Sequence, residues 1–268
     1  SNTGGVPVQS GCSTIGGMRQ TLSPTVVEVS SPNTARRLTP SEVAGTAEAS
    51  SAREDTRRQL AIVPDSWAIG DLLLIEPTPT DGAHVVVQRL ANGQSAKGAL
   101  WRLAFAAGHQ AVHPADGEAE AADWLASPGL DDPSLVELTH VPFVTIDNAG
   151  SRDLDQAVHV QAEGTGYRLR YALADASYYV RPGSQLFAEA LRRGTSYYMP
   201  GIAIPMLPRC LSEGLISLNP NEVRRSVVME LHLDAVGRCT QTELFRARVR
   251  SRAKLTYAGV QSMYAAGA

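Results

Sequence analysis

Cysteine is scarce in this chain and badly placed for cross-linking. The 268 residues include 3 cysteines, Cys12, Cys210 and Cys239, at wide spacings and with no C-x-x-C pair. That pattern fits neither a disulfide framework nor a structural zinc site, and it suits a reducing compartment. No apolar run approaches the roughly 18 residues a membrane-spanning helix requires. The opening SNTGGVPVQS lacks the positive start and apolar stretch of a secretory leader, so a soluble, cytoplasmic protein with no membrane partner is expected. There is no G-x-x-x-x-G-K phosphate loop, which excludes nucleotide hydrolysis of that class. The histidines, His84, His109, His113, His140, His159 and His232, show no ligand spacing on a helix face and no obvious serine partner. Zinc chemistry and hydrolase triads are therefore unsupported.

What is present is the composition of a protein that can bury a core. Hydrophobic residues make up 43% and charged residues 19%, while Gly 23 and Pro 16 imply many loops. The net charge of -3 hides an asymmetry. Residues 1–140 carry 9 basic and 16 acidic side chains, residues 141–268 carry 15 and 11, and residues 192–257 carry 11 and 5. An anionic ligand is to be sought in the second half.

Residues 1–61 read as a mostly irregular N-terminal arm with one β-prone island at 25–29. Residues 62–98 read as part of a small β-barrel, with β-rich runs at 67–76 and 83–90 around a Pro/Gly turn. Helical spacing at 99–112 and 118–126 predicts a helical linker over 99–140. A second domain is expected over 141–268. It has strands at 143–146, 167–174, 227–233 and 239–251, and helices at 185–193 and 257–265, an α+β mixture.

Three constellations in that second half could carry chemistry. Thr145-Ile-Asp147-Asn-Ala-Gly-Ser-Arg-Asp153-Leu-Asp155-Gln156 sets three carboxylates in a turn beside a buried strand. Carboxylates crowded in this way repel one another unless a cation neutralises them. Mg²⁺ is held by a few Asp oxygens together with water and substrate phosphate, so the turn suits phosphoryl chemistry. A solvated loop or a calcium loop is the alternative, although the spacing does not match the calcium pattern. The second constellation is the alternation of Arg246, Arg248, Arg250, Arg252 and Lys254. On a strand these five cations share a face at about 6.5 to 7 Å spacing, close to the phosphate pitch of an extended single strand. The same pattern also serves a solvated edge that discourages strand pairing. The third is aromatic: Tyr178, Tyr179, Tyr197, Tyr198, Tyr257 and Tyr264 could stack on bases, or pack in a core. Tyr198, followed by Met-Pro-Gly in a loop, is expected nearest a ligand.

Taken together, the segments resemble the catalytic (RNB) domain of the ribonuclease II family, which includes ribonuclease R and the eukaryotic exosome nuclease. The stretch Val141 to Asp147 through Arg152-Asp153-Leu-Asp155-Gln156-Ala157 is similar to the family's acidic signature. In family order follow Ala172-Leu-Ala-Asp175-Ala-Ser177, Tyr198-Met-Pro-Gly201, Ile204-Pro-Met-Leu-Pro208, Leu211-Ser212, Ser217-Leu-Asn-Pro220, Asn221-Glu-Val-Arg224 and Ser251-Arg-Ala-Lys-Leu-Thr-Tyr257. The resemblance covers about residues 120–268. It implies a mixed sheet with surrounding helices, and Mg²⁺-dependent hydrolysis of single-stranded RNA from the 3′ end, releasing nucleoside 5′-monophosphates. It implies Asp147 as a metal ligand and Asp153 and Asp155 as organisers of metal and terminal ribose. Tyr198 would stack near the 3′-terminal base and Tyr257 would lie along the RNA channel.

Two departures modify that expectation. The family signature ends in adjacent aspartates, whereas Asp155 is followed here by Gln156. An amide oxygen can coordinate Mg²⁺ but brings no negative charge, so weaker metal binding and impaired activity are expected. The family's catalytic domain also runs beyond this chain, which implies a truncated fragment or a second polypeptide completing the site. The alternative function is a catalytically degenerate relative acting as an RNA-binding or structural subunit.

Overall fold

The computed structural model describes residues 24–31, 34–37, 58–59, 67–77 and 84–267. The chain divides into two compact units. One takes Ala188–Leu207 together with the described residues before Glu120, and the other takes Glu120–Phe187 and the chain from Pro208 onward.

The first unit is built on a five-stranded antiparallel sheet. Its strands are β1 (Thr25–Ser31), β2 (Thr34–Arg37), β3 (Arg58–Gln59), β4 (Leu72–Pro77) and β5 (His84–Ala91), in the order β3-β2-β1-β4-β5. The two expected β-runs pair as the β4/β5 hairpin, but the centre of the sheet comes from the N-terminal arm. Within that arm, the β-prone island at 25–29 forms strand β1. Val26, Val27 and Val29 are all buried, because β1 presents apolar side chains to both faces of the sheet. On one face Val26, Leu72, Leu74 and Leu90 pack against Trp101, Ala104 and Phe105 of α1 (Ala96–Ala106) and against Ile202 and Ile204. On the other, Val27, Val29, Ala35, Leu73 and Ile75 form a second cluster. Ser95 caps α1 by accepting the Gly98 N–H at 3.0 Å. Ile202 and Ile204 belong to a short hairpin, β9 (Tyr197–Met199) and β10 (Ile202–Ile204).

A buried histidine makes this unit acid-sensitive. His113 is enclosed, and loss of hydration, reinforced by the Arg193 guanidinium, lowers its pKa from 6.5 to about 4, while Glu189 and the carbonyls of Pro205 and Leu207 act the other way. A histidine whose folded pKa is depressed contributes stability that is complete above its unfolded pKa near 6.5 and is lost as pH falls toward 4. Its share is about 3 kcal/mol across that window. Denaturant titrations of wild type and His113→Gln at pH 7 and pH 4 should show a shallower acid loss in the variant. Equal slopes would show that the charge is accommodated without cost.

The second unit is a closed five-stranded barrel in the order β11-β12-β6-β7-β8. Its strands are β6 (Val136–Asp147), β7 (Gln156–Glu163), β8 (Gly166–Ala174), β11 (Val223–Leu233) and β12 (Cys239–Thr256). The sheet is mixed: β12 runs parallel to β6, and the remaining pairs are antiparallel. Leu138, Val141, Phe143, Ala157, Ala172, Val228, Ala247 and Val249 fill it, with Leu218. The α+β assignment therefore holds, and the chain spends its longest strands on closing the barrel. Outside the barrel lie α2 (Ala115–Ala126), the short α3 (Ala176–Tyr179), α4 (Gln185–Arg193), a π-helical turn (Cys210–Leu215) and α5 (Tyr257–Ala265). The divide between the two units falls within α2 and within α4. Among the described residues no helix is long and apolar enough to cross a membrane.

Against the barrel, Trp124, Tyr178 and Tyr179 form an aromatic cluster with ring centroids 5.1 to 5.5 Å apart. The Arg225 guanidinium lies 3.5 Å from the Tyr178 ring centre. Gly129, at φ +65°, sits so close that an added Cβ would be 2.3 Å from the Tyr178 hydroxyl.

Candidate active site

The barrel registers bring the last residue of β6, the first of β7, the ends of β8 and β12 and the start of β11 to one rim. At this rim Thr145, Ile146, Asp147, Asp153, Leu154, Asp155 and Gln156 line an open pocket of about 60 Å³. The three aspartates of the sequence motif thus share one small space.

Local physics explains how they arrive there. Phe143 and Thr145 point into the barrel, and the same two-residue period carries Asp147 to the rim. The chain then leaves the sheet for the turn 148–155, and Gln156 re-enters it opposite Leu173. Leu154 is buried and anchors the turn, while the carboxylates on either side of it face the pocket. The Asp155 carbonyl accepts the Ala174 N–H at 2.8 Å.

The electrostatics are those of a site short of positive charge. The Asp155 carboxyl is held above its usual range, first by loss of hydration and then by the negative charges of Asp153 and Asp147. Beneath the rim, Thr145 is 1% exposed, and its Oγ1 has no hydrogen-bond partner among the described residues. Three carboxylates, an amide oxygen and a buried hydroxyl without a partner form an all-oxygen donor set that fits a hard divalent cation. Among the described residues no three His, Cys, Asp or Glu side chains converge as a ready-made ligand cage.

The basic residues of β12 alternate as expected. Ala247, Val249 and Ser251 are buried, and the cations between them point outward. Several are already engaged within the protein. Arg246 Nε is 3.1 Å from the fully buried Asp175 carboxylate. Arg248 pairs with Glu137 at 3.0 Å and donates to the Leu130 carbonyl at 2.7 Å. Arg252 donates to the Thr139 carbonyl at 3.1 Å, while Arg250 Nε has no hydrogen-bond partner among the described residues. Lys254 donates to the carbonyls of Ala149, at 2.9 Å, and of Ser151, so it reaches the acidic turn itself.

The tyrosines divide into two groups. Tyr179 is buried and donates its hydroxyl to the Pro128 carbonyl at 3.0 Å, with burial pushing its pKa up to about 12. Tyr178 packs on Arg225 and Tyr197 on His109, so these three serve packing. Tyr198, on β9 of the first unit, is 65% exposed, and Tyr257 and Tyr264, on α5 of the second, are 59% and 80% exposed. Tyr257 starts α5, which Thr256 caps by accepting the Gly259 N–H at 3.0 Å.

One side chain that the sequence did not single out holds the pocket together. Ser217 Oγ accepts the Leu154 N–H at 2.9 Å and donates to the Arg152 carbonyl at 2.8 Å, across more than 60 residues of chain. The adjacent Leu218 N–H donates to the Leu154 carbonyl at 2.8 Å. Ser217 lies within a resemblance motif, but nothing in the sequence marks its partners.

Comparison with known proteins places these features in context. Residues 135–268 match the model of the RNB domain. A stretch of 126 residues, 47% of this chain, is 48% identical to ribonuclease R of Escherichia coli strain K12, and it spans 16% of that protein's length. The structure of Mycoplasma genitalium RNase R in complex with double-stranded RNA superposes with a TM-score of 0.63 at 23% sequence identity, covering 96% of this chain and 45% of that one. The fold is also shared with yeast Ssd1, a pseudonuclease, at a TM-score of 0.52 and 14% identity, over 94% of this chain and 32% of that one.

Proposed function

Because this chain belongs to the RNB domain family, we propose that it is the metal-binding part of a hydrolytic 3′-to-5′ exoribonuclease that acts on single-stranded RNA and releases nucleoside 5′-monophosphates. The observation that carries this reading is the pocket that Asp147, Asp153 and Asp155 line together, where lost hydration first and the charges of Asp153 and Asp147 second disfavour ionisation of Asp155. In this reading the three aspartates hold Mg²⁺, and Gln156 contributes an uncharged amide oxygen. When bound, such a cation supplies neutralisation of phosphate charge and activation of water for attack. The protein's own part is to hold the carboxylates in place against their mutual repulsion, so that a cation relieves it on binding. The exposed Tyr198 and Tyr257 offer stacking faces for terminal bases, and Arg246, Arg248, Arg250, Arg252 and Lys254 bias the surface toward phosphate.

A second reading, a catalytically degenerate relative that binds RNA or serves a larger assembly, is favoured by Gln156. This residue lines the pocket where the family signature carries a further acid. The two readings are separated by incubating a 5′-labelled single-stranded RNA with wild type and Gln156→Asp, with and without Mg²⁺. The nuclease reading expects a ladder shortening from the 3′ end that requires Mg²⁺. It also expects Gln156→Asp to tighten the cation by about tenfold or more, the order of one added charge a few ångströms away at a near-surface dielectric. Intact RNA with both proteins, retained on a filter in a salt-sensitive manner, would mark the chain as an RNA binder or an incomplete half and overturn the reading of a self-sufficient nuclease.

A further inference from the structure

We propose that Ser217 is a positioning residue for the acidic pocket, acting through the main chain on each side of Asp153; this rests on reading the pocket as a divalent-cation site. Its hydroxyl bonds both the carbonyl preceding Asp153, on Arg152, and the N–H following it, on Leu154. Those two bonds fix both peptide planes that flank Asp153 and therefore the direction in which its side chain leaves the backbone. The next residue extends the lock: the Leu218 N–H holds the Leu154 carbonyl, the peptide that leads into Asp155. Ser217 is 0% exposed, so water cannot substitute for the hydroxyl.

Ser217 is itself held on every side. Its carbonyl accepts Arg224 Nε at 3.1 Å, and Asn219, which stands 3.3 Å from its hydroxyl, donates Nδ2 to the Glu213 carbonyl at 3.0 Å. From the opposite side Lys254 ties down Ala149 and Ser151. Mutually repelling carboxylates would otherwise splay apart, and cation affinity depends on keeping them in place before the ion arrives. Ser217 touches neither cation nor substrate in this account. It sets the geometry of the groups that do.

The test is a titration of the full chain with Mg²⁺ by calorimetry, alongside thermal melting in chelator and 3′-end hydrolysis of labelled RNA across Mg²⁺ concentrations. Ser217→Ala removes both bonds, and Ser217→Cys keeps the volume with a weaker donor and acceptor. The expected result is a graded loss of Mg²⁺ affinity, about 10- to 100-fold for Ser217→Ala and less for Ser217→Cys. Hydrolysis should recover toward wild type at saturating Mg²⁺. A purely structural serine would lower the melting temperature and leave the Mg²⁺ dissociation constant unchanged, and that outcome overturns the proposal. If Ser217→Ala does not fold, the Ser217→Cys comparison decides alone. If wild type binds no Mg²⁺, the cation-site reading fails and the positioning role falls with it; wild-type binding that both variants retain overturns the positioning role only.

Discussion

On the nuclease reading proposed above, replacing Asp155 by asparagine is expected to cut RNA hydrolysis severely while leaving the cation-free protein as stable as before or more so. Asp155 is held protonated to higher pH than an ordinary aspartate by lost hydration and by Asp153 and Asp147, so the folded protein bears a cost for keeping it charged. Asparagine keeps the shape and removes the repulsion, which should leave the melting temperature in chelator level or raised. The same change takes one charge from the proposed cation site, and on that reading a loss on the order of 10³-fold, about 4 kcal/mol of transition-state stabilisation, should follow. The pH dependence carries a sign. Protons compete with the cation, and because the Asp155 pKa is raised, Mg²⁺ affinity should begin to fall at a higher pH than a normal aspartate pair would give. Mg²⁺ titrations of wild type at several pH values, beside single-turnover assays of Asp155→Asn, check both parts. Retained hydrolysis in Asp155→Asn would remove the carboxylate from the chemistry.

The largest effect on stability is expected away from the pocket, at Asp175. Its carboxylate is fully buried, 3.1 Å from Arg246 Nε and 3.7 Å from Arg225 Nε, and its other oxygen accepts the Ser177 hydroxyl at 2.8 Å. Arg225 is almost wholly enclosed, under Tyr178 and beside Asp132. Removing Asp175 leaves the enclosed Arg225 Nε without its partner while Asp132 and the Gly129 carbonyl still hold the other nitrogens, so Asp175→Ala should cost about 3 kcal/mol, the low end for breaking a buried pair. Arg246 is half exposed, and Arg246→Met should cost under about 1 kcal/mol. Urea midpoints of the two variants measure the contrast. Near-equal losses would show that Asp175 serves Arg246 rather than the buried guanidinium. The aspartate in Ala172-Leu-Ala-Asp175-Ala-Ser177 is thus a structural group, set at the end of β8 beside the rim.

Much of the barrel was legible from local pattern. The hairpin joining β11 and β12 announced itself through alternation around Asp234-Ala-Val-Gly237, whose Asp234 side chain accepts the Val236 and Arg238 N–H groups at 3.0 and 2.8 Å. The helix over 185–193 matched its apolar period, and the structure gives it the same limits. The island at 25–29 was legible as β-prone, but its partners were not: β1 is ordered by ladder pairing with β2 and β4, a partnership that no window of sequence reports.

The acidic pocket shows the same division. That Asp147, Asp153 and Asp155 belong to one acidic segment leaving a strand was legible from sequence spacing. That their turn is held by Ser217 and Lys254, more than 60 and more than 100 residues further along, was decided by closure of the barrel. The basic alternation likewise determined which face the β12 cations share, but only the folded chain assigned Arg246 to Asp175 and Arg248 to Glu137. Tyr178 and Tyr179 entered a packed cluster while Tyr257 stayed exposed, a division that composition and spacing alone do not make. The physical reason is range. Periodicity, turn chemistry and charge spacing act between neighbours and are written in the chain. Burial and hydrogen-bond partners depend on which distant segments meet, and parallel pairing of β12 with β6 sets that only once the barrel has closed.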